Sequence, residues 1–308
     1  MNHYPGGVWP VMLTPFQPDG AIDEAGLRAL VDWYIDSGVD GLFASCQSSE
    51  IFNMTMQERI RVADITISQA AGRVPVVASG HTDYDLEQQA REIDLMAKTG
   101  VDAVILITNR LAGEDESDDI FLQNLHRLLG MIDPKIRLGF YECPSPYKRL
   151  LSLKVLEDCV KTGRFYFLKD TCCDAQQIKD KLEIIKNTDL KLYNANTTTL
   201  LQSMRDGAAG YSGVMANFHP ELYVWLTKNI NHPKARLVQD ALTVASMIER
   251  QFYPVNAKYH LKAIEKLPIE TTSRTKDDKG LTETFKEEVR QMDELMTEVL
   301  KQINKEDE

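Results

Sequence analysis

The sequence predicts an α/β protein, a closed (β/α)8 TIM barrel with a C-terminal helical extension. Three observations carry that expectation. Short apolar runs recur eight times through the first two-thirds of the chain. Amphipathic segments of helical spacing separate them. After Asn217 the alternation stops and only helical pattern follows. Strands alternating with helices give a parallel sheet, and eight such units favour closure into a barrel. A doubly wound open sheet is the alternative. It prefers a glycine-rich phosphate turn after the first strand, and Thr14-Pro15-Phe16 is not one.

The expected strands are residues 8–13, 41–46, 74–79, 102–108, 136–141, 165–169, 190–194 and 210–214. Each is brief and apolar, the pattern of a buried strand. The first helix is expected over 23–37, where Leu27, Leu30, Val31, Tyr34 and Ile35 form one apolar face. Asp23 serves as its N-cap and Gly38 as its stop. Residues 55–71 form the second helix. Residues 83–99 form the third, with Asp83 as N-cap and Gly100 just past the end. Residues 117–131, 152–162, 174–187 and 198–206 continue the alternation. Further on, 220–229, 233–253 and 254–265 read as helices, 266–280 as a charged connector and 281–303 as a long final helix. The barrel is therefore expected over 1–217 and the helical extension, packed on it, over 218–308.

Composition narrows the function. The chain has 308 residues, 43% hydrophobic and 26% charged, which is ordinary for a globular protein. A net charge of -11 argues against nucleic acid and against an anionic membrane surface as partners. No leader resembling a signal peptide opens the chain, and no apolar run approaches membrane-spanning length. The five cysteines, Cys46, Cys143, Cys159, Cys172 and Cys173, fit neither a disulfide framework nor a zinc ribbon, so a cytoplasmic location is expected.

Barrel chemistry sits at the C-terminal ends of the strands. That rule selects Thr14, the turn from Cys46 to Glu50, Gly80 and His81, Thr108 to Arg110, Tyr141 and Glu142, Lys169 and Asp170, Asn194 to Asn196, and Tyr211 to Gly213. Lys169 stands out, because it ends the aromatic run Phe165-Tyr166-Phe167-Leu168. Burial there lowers an amine's pKa, and a neutral amine is a nucleophile that forms Schiff bases with carbonyls. The bland reading is a lysine that snorkels to water. No histidine pair stands at metal-ligand spacing and no His-Glu-x-x-His occurs, so neither a metal nor a cofactor is expected.

Several segments in order resemble the dihydrodipicolinate synthase / N-acetylneuraminate lyase family of Schiff-base aldolases. Gly-Val-Trp-Pro-Val-Met-Leu-Thr-Pro-Phe, from Gly7 to Phe16, is similar to its first strand. Cys46-Gln47-Ser48-Ser49-Glu50 stands in place of a Gly-Thr-Thr-Gly-Glu turn, and Tyr141-Glu142-Cys143-Pro144 resembles Tyr-Asn-x-Pro. Leu168-Lys169-Asp170 resembles the lysine strand, and the glycine-rich stretch from Gly207 to Gly213, with Asn217 beyond, resembles the eighth strand. The resemblance spans Gly7 to about Lys266. It implies that Lys169 condenses with a 2-oxo acid such as pyruvate and that Tyr141 relays protons. It implies that Gln47, Ser48 and Ser49 hold the substrate carboxylate. The Ser212 carbonyl and the open backbone of Gly210 and Gly213 would line the pocket floor. Family habit implies a homo-oligomer, a dimer or a homotetramer built from dimers.

Departures from the pattern bear on the second substrate. The arginine that follows the Tyr-Asn-x-Pro proline in the synthase branch is absent, since Ser145-Pro146 follow Pro144. Lys148 and Arg149 lie just beyond. Glu142 replaces the motif asparagine and is expected to bring negative charge near the Schiff base. Thr108-Asn109-Arg110-Leu111 replaces Thr-Pro-Tyr-Tyr, which makes Arg110 a candidate for a carboxylate, beside the acidic loop 113–119. The expected function is a Schiff-base lyase or aldolase acting on pyruvate or another 2-oxo acid, with an aldehyde as second partner. Authentic dihydrodipicolinate synthesis is not expected. The alternatives are a sugar-acid (2-keto-3-deoxy acid) dehydratase of the same family and a catalytically idle relative that binds a 2-oxo acid.

Overall fold

Eight parallel strands ring a central core in the computed structural model, which describes residues 4–305. They are β1 (Gly7–Val8), β2 (Leu42–Phe43), β3 (Val76–Ala78), β4 (Ala103–Ile107), β5 (Leu138–Tyr141), β6 (Phe165–Asp170), β7 (Lys191–Asn194) and β8 (Gly210–Tyr211). The helices between them are α1 (Glu24–Asp36), α2 (Met56–Ala70), α3 (Leu86–Ala97), α4 (Asp118–Met131), α5 (Leu153–Lys161), α6 (Ala175–Ile185) and α7 (Leu200–Arg205). After β8 come α8 (Pro220–Lys228), α9 (Ala235–Ala245), α10 (Val255–Ala263) and α11 (Glu283–Asn304).

Each strand pairs with its sequence neighbour, and β1 pairs with β8. The ring closes between β1 and β2 through a parallel bridge from Val11 to Phe43, where the Met12 N–H donates to the Phe43 carbonyl at 3.0 Å. The ladder of β1 is short because Pro10 has no N–H to donate. Where β8 meets β1, Gly210 faces Gly7 so closely that an added Cβ would lie 1.8 Å from the Gly7 carbonyl oxygen. That approach requires glycine.

Strand alternation divides the core in two. Inward residues fill the barrel: Phe167 stacks on Tyr193 at 4.3 Å, and Trp9 meets Phe167 edge-on at 5.2 Å. Outward residues such as Phe140 and Leu168 pack under the helices. The same period turns Tyr141 and Lys169 inward and Glu142 and Asp170 outward.

Two local differences from expectation have simple causes. The N-cap of α3 is Asp85, whose carboxylate accepts the Gln88 N–H at 2.9 Å. Asp83 instead accepts the Asp85 N–H, making a turn ahead of the helix. The single helix expected over 233–253 divides into α9 and a 3-10 segment, Ser246–Arg250, that bends over the barrel mouth.

The eighth helix of the ring lies beyond residue 217: α8 packs against β1 and β8. Helices α9, α10 and α11 then stack on one another and on α7 and α8. The connector ahead of α11 is tied to the barrel by Glu50, itself in the left-handed conformation at φ 64°. The Glu50 carboxylate accepts from the Lys258 ammonium at 2.7 Å, the Ser273 hydroxyl at 2.8 Å, and the Arg274 and Thr275 N–H groups at 2.6 and 3.0 Å. Glu50 is thus a structural acceptor that straps residues 273–275 across the mouth. Among the described residues no helix is long and apolar enough to cross a membrane.

Candidate active site

A cavity of about 530 Å³ opens at the C-terminal end of the barrel. Its walls include Lys169, Tyr141, Gln47 and Ser48, together with Glu249 and Tyr253 from beyond β8. A larger groove of about 640 Å³ lies at the opposite end, around Asp102 and Arg137. Barrel chemistry belongs to the C-terminal face, and that groove brings no buried nucleophile together with a proton relay.

Lys169 and Tyr141 are register partners on β6 and β5. The Lys169 ammonium nitrogen lies 4.0 Å from the centre of the Tyr141 ring. Both residues are almost wholly buried, at 4% and 3% exposure. Burial lowers the Lys169 pKa below the ordinary lysine value, with Cys46, Cys143 and Glu249 pulling the other way. Burial likewise pushes the Tyr141 phenol well above its ordinary value, so it stays protonated. Its hydroxyl reaches the Gln47 side-chain oxygen at 3.4 Å. The lysine does not snorkel: its amine ends inside the barrel.

Ser48 shares the cavity wall with Gln47, and its hydroxyl is within hydrogen-bonding reach of the Tyr253 phenol. Tyr253 accepts from the Asn217 side-chain amide at 3.0 Å, and the same amide donates to the Val11 carbonyl at 3.0 Å. Tyr34 donates to the Asn217 oxygen from behind. Asn217 therefore connects the end of β8 to the opening strand and to the extension.

Other expected site residues are placed elsewhere. Ser49 is fully buried beneath the turn, donating to the Met12 and Ala44 carbonyls at 2.7 and 3.0 Å and accepting from the Cys46 N–H at 3.1 Å. Its hydroxyl is spent on backbone, not offered to a substrate. Gly210 faces Gly7, and Ser212 donates its N–H to the Asn194 carbonyl at 2.9 Å. Neither lines the cavity; Gly213, Val214 and Ala195 do. Arg110 also lies outside the cavity wall, its guanidinium between the rings of Phe52 and Tyr84 at 4.9 and 4.3 Å. His81 is held on both nitrogens, accepting from the Ile107 N–H at 2.6 Å and pairing with Gln89 at 3.1 Å. Burial drives its pKa down to about 3, so it stays neutral.

The charges that the sequence sets near the lysine are cancelled locally. Glu142 turns away from the cavity, and with Asp170 it grips Lys181 of α6 at 2.5 and 2.6 Å. Its two oxygens also accept the Leu151 and Thr171 N–H groups at 2.8 and 2.9 Å. Burial alone would lower the Lys181 pKa; the two carboxylates outweigh it and keep the ammonium charged. Arg149 does not reach the cavity either: it donates to the Gly113 and Glu116 carbonyls and pairs with Asp118, which offsets the acidic loop. Lys148 does line the cavity, held by the Thr171 carbonyl at 2.9 Å.

Lys181, Glu249, Arg250, Tyr253 and Lys276 escaped the reading from sequence. Lys181 left a signal, since it stands in the apolar stripe of Ile178, Leu182 and Ile185. The other four come from the extension and its connector, where no strand-end rule points to them.

Comparison with known proteins supplies the family and supports the fold. The family model for the dihydrodipicolinate synthetase family matches residues 4–275. A 4-hydroxy-tetrahydrodipicolinate synthase from Acidobacterium capsulatum is 27% identical over 250 residues, covering 81% of this chain and 79% of that one. An N-acetylneuraminate lyase from Escherichia coli is 26% identical over 246 residues, covering 79% and 80%. Among solved structures, the chloride-inhibited dihydrodipicolinate synthase from Acinetobacter baumannii complexed with pyruvate superimposes with a TM-score of 0.83 at 19% identity, covering 96% of this chain and 99% of that one. A closed barrel with its lysine strand, and a family match over most of its length, lead to one conclusion: this chain belongs to the dihydrodipicolinate synthetase family of lyases and aldolases.

Proposed function

We propose that the chain is a class I aldolase that forms a Schiff base between Lys169 and the ketone of pyruvate or another 2-oxo acid. One observation carries the reading: a buried amine of lowered pKa sits 4.0 Å from the ring of a buried tyrosine, in a cavity of about 530 Å³. The neutral amine attacks the ketone carbon, and the carbinolamine loses water to give the imine. In the cleavage direction, the bond between the third and fourth carbons of a longer 2-oxo acid breaks into the imine. That step leaves an enamine and an aldehyde. The enamine takes a proton on its third carbon, and water then releases the 2-oxo acid and the lysine. Tyr141, kept neutral by burial, can hand a proton to the departing water and take one from the hydroxyl that becomes the aldehyde. Ser48 and Gln47 are the nearest candidates for the substrate carboxylate.

The groups facing the second substrate disfavour the synthase reaction. The motif arginine is absent and Arg149 is engaged with loop 113–119. Lys148, Arg250 and Lys276 share the cavity with Glu249. Glu249 favours a second reading, sugar-acid dehydration. It is a carboxyl group on the cavity wall whose pKa burial raises, and such a group can exchange a proton with a departing hydroxyl. Assembly as a homo-oligomer, a dimer or tetramer, and a cytoplasmic location complete the proposal; sedimentation and cell fractionation test them.

The decisive experiment incubates the protein with a panel of 2-oxo acids, adds borohydride and reads the mass. A pyruvate-derived adduct on the wild-type chain and none on Lys169→Ala is expected. No adduct with any 2-oxo acid refutes the Schiff-base reading. Release of an aldehyde from the substrate supports the aldolase, and loss of one water per turnover supports the dehydratase.

A further inference from the structure

Outside the barrel, three side chains of metal-ligating type converge from three different elements. His219 caps α8, His260 lies on α10 and Asp293 on α11. One nitrogen from each ring and one carboxylate oxygen all lie within 4.8 Å of one another. The two rings stand edge to face, with centres 5.3 Å apart and planes at 79°. His260 and Asp293 are already in contact, Nε2 to Oδ1 at 2.9 Å. His219 is 3% exposed, yet its Nε2 has no hydrogen-bond partner among the described residues. A buried ring nitrogen without a partner is costly, and an imidazole nitrogen is a common metal ligand.

Carboxyl groups stand close by: Asp293 belongs to the group, and Glu221 lies beside it, 4.0 Å from His219 Nδ1. Neither carboxylate pairs with a lysine or arginine among the described residues. Glu265, which acts on Glu221 electrostatically, adds a third acid. A cation therefore suits the group by donor type and by the charge of Asp293.

We propose that His219, His260 and Asp293 bind one divalent transition-metal ion of the zinc class, with water as fourth ligand. Two imidazoles and a carboxylate suit zinc, whose bonds of about 2.0–2.1 Å place tetrahedral ligand atoms about 3.3 Å apart. No pair of ligand atoms has to close by more than about 1.5 Å. None of the three residues lines the cavity, so the ion is structural. It would clip the turn after β8 to α10 and α11. Helix α10 carries Lys258, which holds Glu50, and Tyr253 and Pro254 of the cavity wall directly precede it. Metal binding thereby stiffens the side of the mouth that the extension supplies.

The test uses the untagged full chain after EDTA treatment, titrated with ZnCl2 and separately with CoCl2. Calorimetry should report one ion per chain, and cobalt should give the visible bands of a tetrahedral site. At free zinc of about one hundred times Kd, the thermal midpoint should rise by about 4 °C. His219→Gln and Asp293→Asn should each weaken binding by about 100-fold or more. Cys172→Ser/Cys173→Ser, which removes the two accessible thiols, should leave binding unchanged. Asp293→Asn, at a partly exposed position, keeps the test open if His219→Gln does not fold. Absence of stoichiometric zinc and cobalt uptake by the stripped chain overturns the proposal. So does uptake that survives both His219→Gln and Asp293→Asn, or that disappears with the two cysteines.

Discussion

Replacing Lys181 by methionine tests how the proposed catalytic pair, Lys169 and Tyr141, is held. The side chain keeps its approximate length and loses its charge. Lys181 is the shared partner of Glu142 and Asp170, and all three are essentially buried. Those two carboxylates directly follow Tyr141 on β5 and Lys169 on β6, so one ammonium ties together the strand ends that hold Tyr141 and Lys169. Removing one partner of a buried ion pair costs about 3–5 kcal/mol, because a charge is left without compensation. For a chain of 308 residues the unfolding entropy is about 0.65 kcal/mol/K, so the midpoint should fall by roughly 5–8 °C. The cost should depend on pH. Without the ammonium, the folded-state pKa of a buried carboxylate rises further above its unfolded value of about 4.3. The folded state then holds a proton that the unfolded state has released. Stability is fully present below the unfolded pKa and is lost as pH rises through the folded one. The deficit against the parent should be smallest near about pH 5 and largest near about pH 8. Denaturant unfolding across that range measures it, with borohydride trapping as a functional readout that should slow. A loss below about 1 kcal/mol at neutral pH, or a deficit that grows on acidification, refutes the reasoning.

Three further outcomes follow from the same geometry. Tyr141→Phe keeps the ring beneath the amine and removes only a hydroxyl whose partner is 3.4 Å away, so the fold should be unaffected while imine formation slows by about 100-fold or more; a rate close to the parent's removes Tyr141 from the relay. Trapping at fixed 2-oxo acid should rise with pH and level off below the ordinary lysine value of about 10.4, and Glu249→Gln should move that limb to lower pH, because it removes an anion that favours the charged amine; a limb that moves upward contradicts the electrostatics. Ser49→Ala should lower stability by about 1–3 kcal/mol and leave KM for the 2-oxo acid unchanged, since its hydroxyl serves Met12 and Ala44; a raised KM in a fully stable variant would assign Ser49 to the substrate.

Much of the candidate site was legible because barrels concentrate chemistry at one address. Locating the strand that ends in Lys169, and the one that ends in Tyr141, was enough to place both at the mouth. The differences between expected and observed positions have a common cause. Ser49 belongs to the motif turn by position, but which way a turn hydroxyl points depends on the carbonyls that close around it. Glu142 reads as a negative charge beside the lysine only until strand alternation is applied, which turns it outward. Arg110 follows a strand end, yet two aromatic rings hold it outside the cavity. Lys181 breaks the apolar stripe of α6, a sign of a buried partner, but nothing local says which carboxylates it meets.

The sequence by itself determined the alternating architecture, the family and the strand-end position of Lys169, because hydrophobic period, strand-end position and motif order are all properties of short segments. Only the tertiary structure decided which charges are cancelled and which face the cavity. It brought Glu249, Tyr253 and Lys276 to the mouth from beyond the last strand. It also gathered His219 from the N-cap of α8, His260 from α10 and Asp293 from α11 into one group. The physical reason is that burial and electrostatic pairing depend on distance in space, and residues far apart in the chain carry no local pattern that announces their meeting.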